Sequence, residues 1–479
     1  MSGFFALGET KERPGVYKRY ENQGTEFAGA LEKVAACVVA SDWGAVNKPV
    51  RIDNTANLEA VAGSAAGLIE QIFYDGPSEV IMVRAGSGGS KGTLGVKGAQ
   101  GNVERLTLEL KYPTGRNFTL TRKAPGFNDP NPDLKGTYIL KMDGVVVEEW
   151  PVYLSEGAWE ANVIAAKLKS SKYINVVNVV TARVPGADSA LGELESFTDR
   201  PFTDAAAPTV DANAYAEALG ALETETWHYL CTDKNDTSIH AIIAAYIARI
   251  HKDGAYGRCV LSEPGSVAIN TRFTHAKAYN DEKVIYLLNG WKDASGNVVE
   301  GYMAAARICG MLAATPSNEC LTRAVIRGAT ALSENLTNSQ IKQGLRSGCL
   351  MLTMSKNRQV VVEEAINTLV TPATNQDSGW KKIKRVDIRF ELMDRIERVT
   401  DPMVGQVNND TNGRAAVIAA AQRVIDAMIG EGKLLGGNCL LDTSQQPAGD
   451  SAWFKVTADD IDALEKIYLT FGFRFSQNS

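Results

Sequence analysis

Hydrophobic and polar positions change rhythm several times along the chain, and each change predicts an element. From Trp380 to Thr400 the apolar residues Ile383, Val386, Phe390, Met393, Ile396 and Val399 fall three and four apart, which puts them on one helical face. Val417, Ala421, Val424 and Met428 repeat that rhythm between Arg414 and Ile429, where Gly430 and Gly432 end the pattern. At the C-terminus, Ile467, Leu469, Phe471, Phe473 and Phe475 alternate with Tyr468, Thr470, Gly472 and Arg474, the period of two of a strand. A strand pair is predicted upstream of Trp380, over Gly348 to Ser355 and Gln359 to Ala365.

The first half alternates between two regimes. Lys33 to Ala40 and Glu79 to Arg84 suit buried strands, with a helix over Asn57 to Ile72 between them. Beyond the Gly/Ser/Lys-rich stretch that starts at Gly86, short alternating segments follow: Arg105 to Tyr112, Asn117 to Lys123, Gly136 to Met142, Val145 to Tyr153 and Ile174 to Val180. Turn clusters separate them, and this spacing predicts a small all-β unit. After a Pro/Gly/Asp-rich stretch the α/β regime returns. Helices are predicted over Asp211 to Glu223 and Thr237 to Lys252, and strands over Trp227 to Thr232, Arg258 to Leu261 and Val284 to Asn289. Gly301 to Ala314 reads as a helix of small residues suited to close packing. The predicted fold class is therefore α/β and α+β, in several domains. Its parts are an N-terminal arm (1–26), an α/β segment (27–92), a small all-β unit (93–185), a linker (186–210), a second α/β region (211–347) and a C-terminal region of strand pair, helices and terminal strand (348–479).

Composition narrows the function classes. Over 479 residues, 44% hydrophobic and 22% charged content is that of an ordinary globular chain, and a net charge of −6 argues against bulk electrostatic binding of nucleic acid. The apolar runs Val34 to Ala40 and Ala241 to Ala248 are too short to cross a bilayer. Seven cysteines, never spaced Cys-x-x-Cys, read as buried free thiols of a reducing cytoplasm rather than as disulfides or zinc ligands, and no cofactor is expected.

Two stretches invite a chemical reading. Gly86 to Thr93 (GSGGSKGT) follows a strand, as a phosphate-binding loop would. Its order is Lys-Gly-Thr and no helical pattern follows, so it reads as a flexible linker. An α/β serine hydrolase is the alternative function, drawing on Ser262, Ser266, His228, His240, His251 and His275. Pro264-Gly265-Ser266-Val267-Ala268 lacks the second glycine of a nucleophile elbow, and the four histidines form no polar cluster in the sequence. No catalytic residue is assigned, and the chain is not expected to be an enzyme.

Four motifs in order resemble the tail sheath proteins of contractile phage tails and phage-tail-like particles: Arg13-Pro14-Gly15-Val16-Tyr17; Leu110 to Asn117; Met303 to Pro316 with Leu321-Thr322; and Glu363 to Leu369 with the Gly472-Phe473-Arg474-Phe475 ending. The resemblance implies a central α/β domain (211–347) of subtilisin-like topology without protease function, with the 27–92 segment packed on it, an inserted β-sandwich (93–185) and a C-terminal α+β domain (348–479) completed by strand addition between subunits. It implies subunits that polymerise as stacked hexameric rings around an inner tube and contract to drive that tube through a target envelope. The implied partners are other copies of the chain, the inner tube protein, and baseplate and tail terminator proteins, with no membrane insertion and no nucleic acid. Assembly would take place in the host bacterial cytoplasm.

Two sets of residues are then expected to carry assembly. Neither the extended N-terminal segment nor the C-terminal strand has a strand beside it in sequence, so Pro14, Gly15, Val16, Tyr17, Leu469, Phe471, Phe473 and Phe475 are expected to join neighbouring subunits by strand addition. The basic run Lys381, Lys382, Lys384 and Arg385 sits at the start of a helix, where the dipole disfavours cations. It is expected to face acidic groups of the tube.

Overall fold

The computed structural model describes residues 2–4, 16–18, 33–100, 103–126, 133–154, 159–180, 192–374 and 376–473. The chain divides into two compact units, one formed by Glu32–Phe390, Glu431–Leu435 and Asp459–Ser479, the other by Met1–Leu31, Glu391–Gly430 and Gly436–Ala458.

The larger unit is built on a seven-stranded sheet. Its strands, in spatial order, are Cys349–Leu350, Val284–Leu287, Arg258–Ser262, Tyr229–Thr232, Ala35–Val39, Glu79–Arg84 and Pro49–Asp53. All neighbours are parallel except the last pair. Ala35–Val39 is buried at every position, as a parallel strand covered on both faces must be. Ala35, Cys37 and Val39 point into one apolar layer with the helices Ala66–Phe73 and Tyr302–Ala314. Ala36 and Val38 point into the other, with Ala212–Ala221 and Thr237–Lys252. The last two helices begin at Asp211 and Asp236, whose carboxylates accept from the amides of Ala214 and Ser238.

Several expectations are corrected here. Cys349–Leu350 pairs with Tyr286 and Leu287, so the segment assigned to the start of a C-terminal domain at 348 is the edge of the central sheet. Gly348, at φ 78°, permits this: a Cβ there would meet the Thr368 backbone at 2.7 Å. The helix predicted over Asn57 to Ile72 is broken into Leu58–Ala62 and Ala66–Phe73. Gly63 turns between them, where a Cβ would lie 2.2 Å from the Asp42 carboxylate. Helices Ile269–Tyr279 and Asn338–Arg346 escaped the periodicity argument because few of their residues are buried: Arg272, Phe273 and Ala276 in the first and Gly344 alone in the second. The second opens with a reciprocal cap between Thr337 and Gln340.

The inserted β unit has two antiparallel sheets. Four strands run in the order Val145–Tyr153, Leu134–Met142, Phe118–Lys123, Phe197–Pro201, and three in the order Ile174–Val179, Glu104–Leu110, Thr93–Lys97. Leu106, Leu108, Phe118, Leu120, Tyr138 and Leu140 share one core with Trp43, a residue of the central unit's first loop. The Trp43 ring lies 5.2–5.4 Å from those of Tyr112, Phe118 and Tyr173. Helix Glu160–Leu168 was not legible in the sequence. Its first residue is fully buried and accepts hydrogen bonds from Arg122 (2.7 and 2.8 Å), the Tyr138 hydroxyl (2.9 Å) and the Leu194 amide (2.9 Å).

The two expected linkers are corrected together. Phe197–Pro201 is an edge strand of the four-stranded sheet, with its proline at the strand's last position. The glycine-rich passage pairs with the returning chain: Ser87 and Thr209 exchange both backbone hydrogen bonds at 2.9 Å, as do Ser90 with Ala206 and Thr93 with Thr203 at 2.8–3.1 Å. The connection is thus a hydrogen-bonded neck. Arg84 braces its base by donating to the Ser41, Gly44 and Pro113 carbonyls at 2.6–2.9 Å.

The smaller unit contains the helix Thr411–Gly430, most of the strands Leu434–Leu441 and Phe454–Asp460, and the later turns of the helix Ile383–Thr400. A groove of about 500 Å³ is lined by Ile396, Val407, Val417, Ala421, Phe454 and Val456. The same unit holds the short parallel pair Ser2–Phe4 and Val16–Lys18, in register Ser2 to Val16.

Candidate functional site

The residues expected to add strands fall into three groups. Pro14, Gly15 and Phe475 lie outside the described residues. Val16 and Tyr17 are in the strand that pairs with Ser2–Phe4, so the N-terminal segment has a strand partner within its own chain, contrary to the expectation that it has none. Leu469, Phe471 and Phe473 lie in a tail that has no regular secondary structure from Ile461 to Phe473. Among the described residues the predicted C-terminal strand therefore makes no ladder. The tail leaves its apolar groups in solvent: Leu464 is 82% exposed, Tyr468 89% and Phe473 93%. So contiguous an exposed apolar run signals an interaction surface.

The basic run is not a free patch, and only part of it lies in the helix. Ser378–Lys381 is a 3-10 turn and the α-helix begins at Ile383. Lys381 donates to the Leu345 carbonyl at 2.7 Å, and burial lowers its pKa. Lys384 is 8% exposed. Lys382 pairs with Glu364 at 3.1 Å and also with Glu465. Arg385 meets Asp460 through Nε at 2.7 Å and Nη2 at 2.8 Å. One turn on, Arg389 bridges the same carboxylate (3.2 and 3.3 Å) and Asp377 (3.0 and 3.1 Å), with its guanidinium 4.6 Å from the Trp380 ring centre. Burial alone would raise the Asp460 carboxyl, but the two arginines hold it below the ordinary range. Acidic groups that offset the misplaced cations are thus in this chain: Glu364 and Asp377, and, where the tail begins, Asp460 and Glu465.

Beneath this surface, Asp387 anchors the helix. It is fully enclosed, accepts from Lys33 at 2.9 Å and from the Tyr229 hydroxyl at 2.7 Å, and pairs with Arg258. Burial pushes its carboxyl up, and Arg258 and Lys33 more than reverse the push. The helix is therefore buried on more than the one face predicted, since Asp387 and Ile388 are enclosed along with Ile383, Val386 and Phe390. Sequence reasoning missed Arg389, Asp460, Glu465 and Asp387. The spacing of Arg385 and Arg389, together with the acidic Asp459-Asp460-Ile461-Asp462 stretch, was the available signal.

The hydrolase residues are not brought together. Ser262 donates to the Leu287 carbonyl at 2.9 Å, and Ser266 is exposed. His228 accepts from the Val34 amide, His240 and His251 bond to the Lys234 and Ala255 carbonyls, and His275 meets Glu263 at 2.8 Å. These bonds take the histidines to backbone or carboxylate, none to a serine hydroxyl. Among the described residues no His, Cys, Asp and Glu cluster is arranged to hold a metal ion, and no helix is long and apolar enough to cross a membrane.

Residues 209–368 match the family model of the phage tail sheath protein central domain. None of the curated proteins matches the chain. A sheath tail protein of Desulfitobacterium hafniense shares the fold with a TM-score of 0.67 at 17% identity, over 93% of this chain and 100% of its own. One from Listeria innocua gives 0.62 at 16% identity, over 90% and 95%. The helical sheath of the anti-feeding prophage in its contracted state gives 0.55 at 11% identity, over 97% and 99%.

Proposed function

We propose that this chain, whose residues 209–368 match the family model of the phage tail sheath protein central domain, belongs to that family and is the structural subunit of a contractile sheath. It would polymerise as stacked hexameric rings around an inner tube and contract to drive that tube through a target envelope. Baseplate and terminator proteins would bound the stack, and assembly would take place in the host bacterial cytoplasm. The central sheet would have the subtilisin-like topology of the family with a structural role and no hydrolase activity. The observation that carries this reading is the conjunction of the family match over 209–368 with the exposed aromatic tail Leu464 to Phe473.

Strand addition would connect the subunits. The hairpin Leu434–Leu441 with Phe454–Asp460 is a two-stranded sheet, with no third strand on either edge among the described residues, and Leu435 and Leu440 on it are exposed. A two-stranded sheet is marginal alone and gains stability from further strands. Five residues added to an edge would form several main-chain hydrogen bonds of about 1 kcal/mol each, and each fully buried aromatic would add about 1.5–3 kcal/mol. Connections of that strength can persist while the bodies of the subunits move.

The purified chain is expected to form long, hollow, striated cylinders in negative stain. Deleting residues 1 to 20, or substituting Leu469, Phe471 and Phe473 by Asp, should leave a folded chain that no longer polymerises. Ordinary cylinders from either variant would overturn strand addition, and a wild-type chain that never polymerises would overturn the sheath reading. A serine-hydrolase probe is expected to leave Ser266 unlabelled.

A further inference from the structure

The tail is tied to the body by charge before it becomes free. Asp460, at the end of the strand Phe454–Asp460, is 9% exposed and held by two guanidinium groups from successive turns of one helix. Arg389 also holds Asp377, which fastens the turn before that helix to the same cluster. Between these anchors the Ile461 amide donates to the Lys433 carbonyl at 3.1 Å. Five residues beyond Asp460, Glu465 accepts from the Thr322 hydroxyl at 2.7 Å and pairs with Lys382. After Glu465 the tail turns outward, and Ile467, Tyr468, Leu469 and Phe471 are 69–89% exposed.

We infer that Lys382, Arg385 and Arg389 form an electrostatic dock for the chain's own acidic segment Asp460 to Glu465, fixing the point where the C-terminal arm leaves the body. This rests on the sheath reading for its purpose and deepens it, since the dock replaces the tube-facing role expected of the basic run. The segment up to Glu465 travels with the body, and the arm pivots from Lys466. Without the dock the pivot would retreat to the end of the strand, and the arm would lose its direction toward a neighbour. The cluster is partly solvent-accessible, with Arg385 at 20% and Asp377 at 56%, so added salt reaches and weakens it.

The test is amide hydrogen exchange on the full-length chain, read at Ile461 and compared with Ala35–Val39 in the central sheet. Asp460→Asn should speed exchange at Ile461 at least tenfold and leave Ala35–Val39 unchanged. Raising salt from about 0.05 M to about 0.5 M should speed Ile461 in the wild-type chain and have little effect in the variant. Unchanged exchange at Ile461, or the same salt response in both proteins, would overturn the dock. Should Asp460→Asn also loosen Ala35–Val39, Arg385→Gln, which weakens the cluster from the helix side, is judged by the same two readouts. The measurement is made on unassembled chain, so failure to form cylinders counts against the sheath reading alone.

Discussion

Asp387→Asn is expected to be the most damaging single substitution in the larger unit, lowering stability by about 3–5 kcal/mol, the range for breaking a buried ion pair from one side. The variant would leave the Arg258 guanidinium, 2% exposed, and the Lys33 ammonium, 7% exposed, without the carboxylate that neutralises them. The Tyr229 hydroxyl would lose its charged acceptor as well. A shift of the urea midpoint at unchanged slope measures the loss. Replacing the group as a whole, with Lys33→Met, Arg258→Met and Asp387→Leu, should cost less than the single change, because no charge is stranded. A triple variant less stable than the single one would refute this account.

The pH dependence has a definite sign. The folded-state pKa of Asp387 is lowered relative to the unfolded chain, since the attraction of Arg258 and Lys33 outweighs burial. Its contribution is therefore fully present above the unfolded carboxylate pKa of about 4 and is lost as pH falls through the lower folded value. The stability gap between wild type and Asp387→Asn should be constant near neutrality and shrink in acid.

Gly310→Ala is the second large effect. Gly310 lies within the helix Tyr302–Ala314, where alanine is ordinarily preferred by about 1 kcal/mol. Here a Cβ would sit 2.0 Å from the carbonyl oxygen of Ile72 and 2.9 Å from its Cα. The obstacle is the backbone of the neighbouring helix Ala66–Phe73, so relief requires moving the helices apart and opening the layer that contains Ile72, Ile308 and Leu312. Overpacking of this kind costs about 1–3 kcal/mol, enough to outweigh the propensity gain. Gly220→Ala is the control. Gly220 is exposed in the helix Ala212–Ala221, a Cβ added there would meet nothing within 4 Å, and the change should stabilise by about 0.5–1 kcal/mol. Thermal or urea denaturation of both variants separates the two cases by sign, and a stabilising Gly310→Ala would show that the helices are not in such close contact.

By itself the sequence determined the elements whose stability is local or whose burial is regular. Glu79–Arg84 and Thr237–Lys252 appear with the bounds their patterns predict, because one is buried from Val80 to Arg84 and the other carries a cap and a continuous apolar stripe. The alternation in Phe118–Lys123 and Leu134–Met142 likewise follows from one face meeting a core. Tertiary structure alone decided the pairings between distant segments. Nothing near Phe197 announces that it will pair with Arg122, nor near Ser87 that Thr209 will return to it, since edge pairing depends on which backbone arrives. The basic run shows the same limit most clearly. A charge in sequence carries no information about its partner, and the fold, by bringing Asp460 and Glu465 to Arg385 and Lys382, made an internal anchor of what reads locally as a surface for another protein. The tail is the converse case: its alternating aromatics are plain in the sequence, and among the described residues of the single chain no strand comes alongside to pair with them.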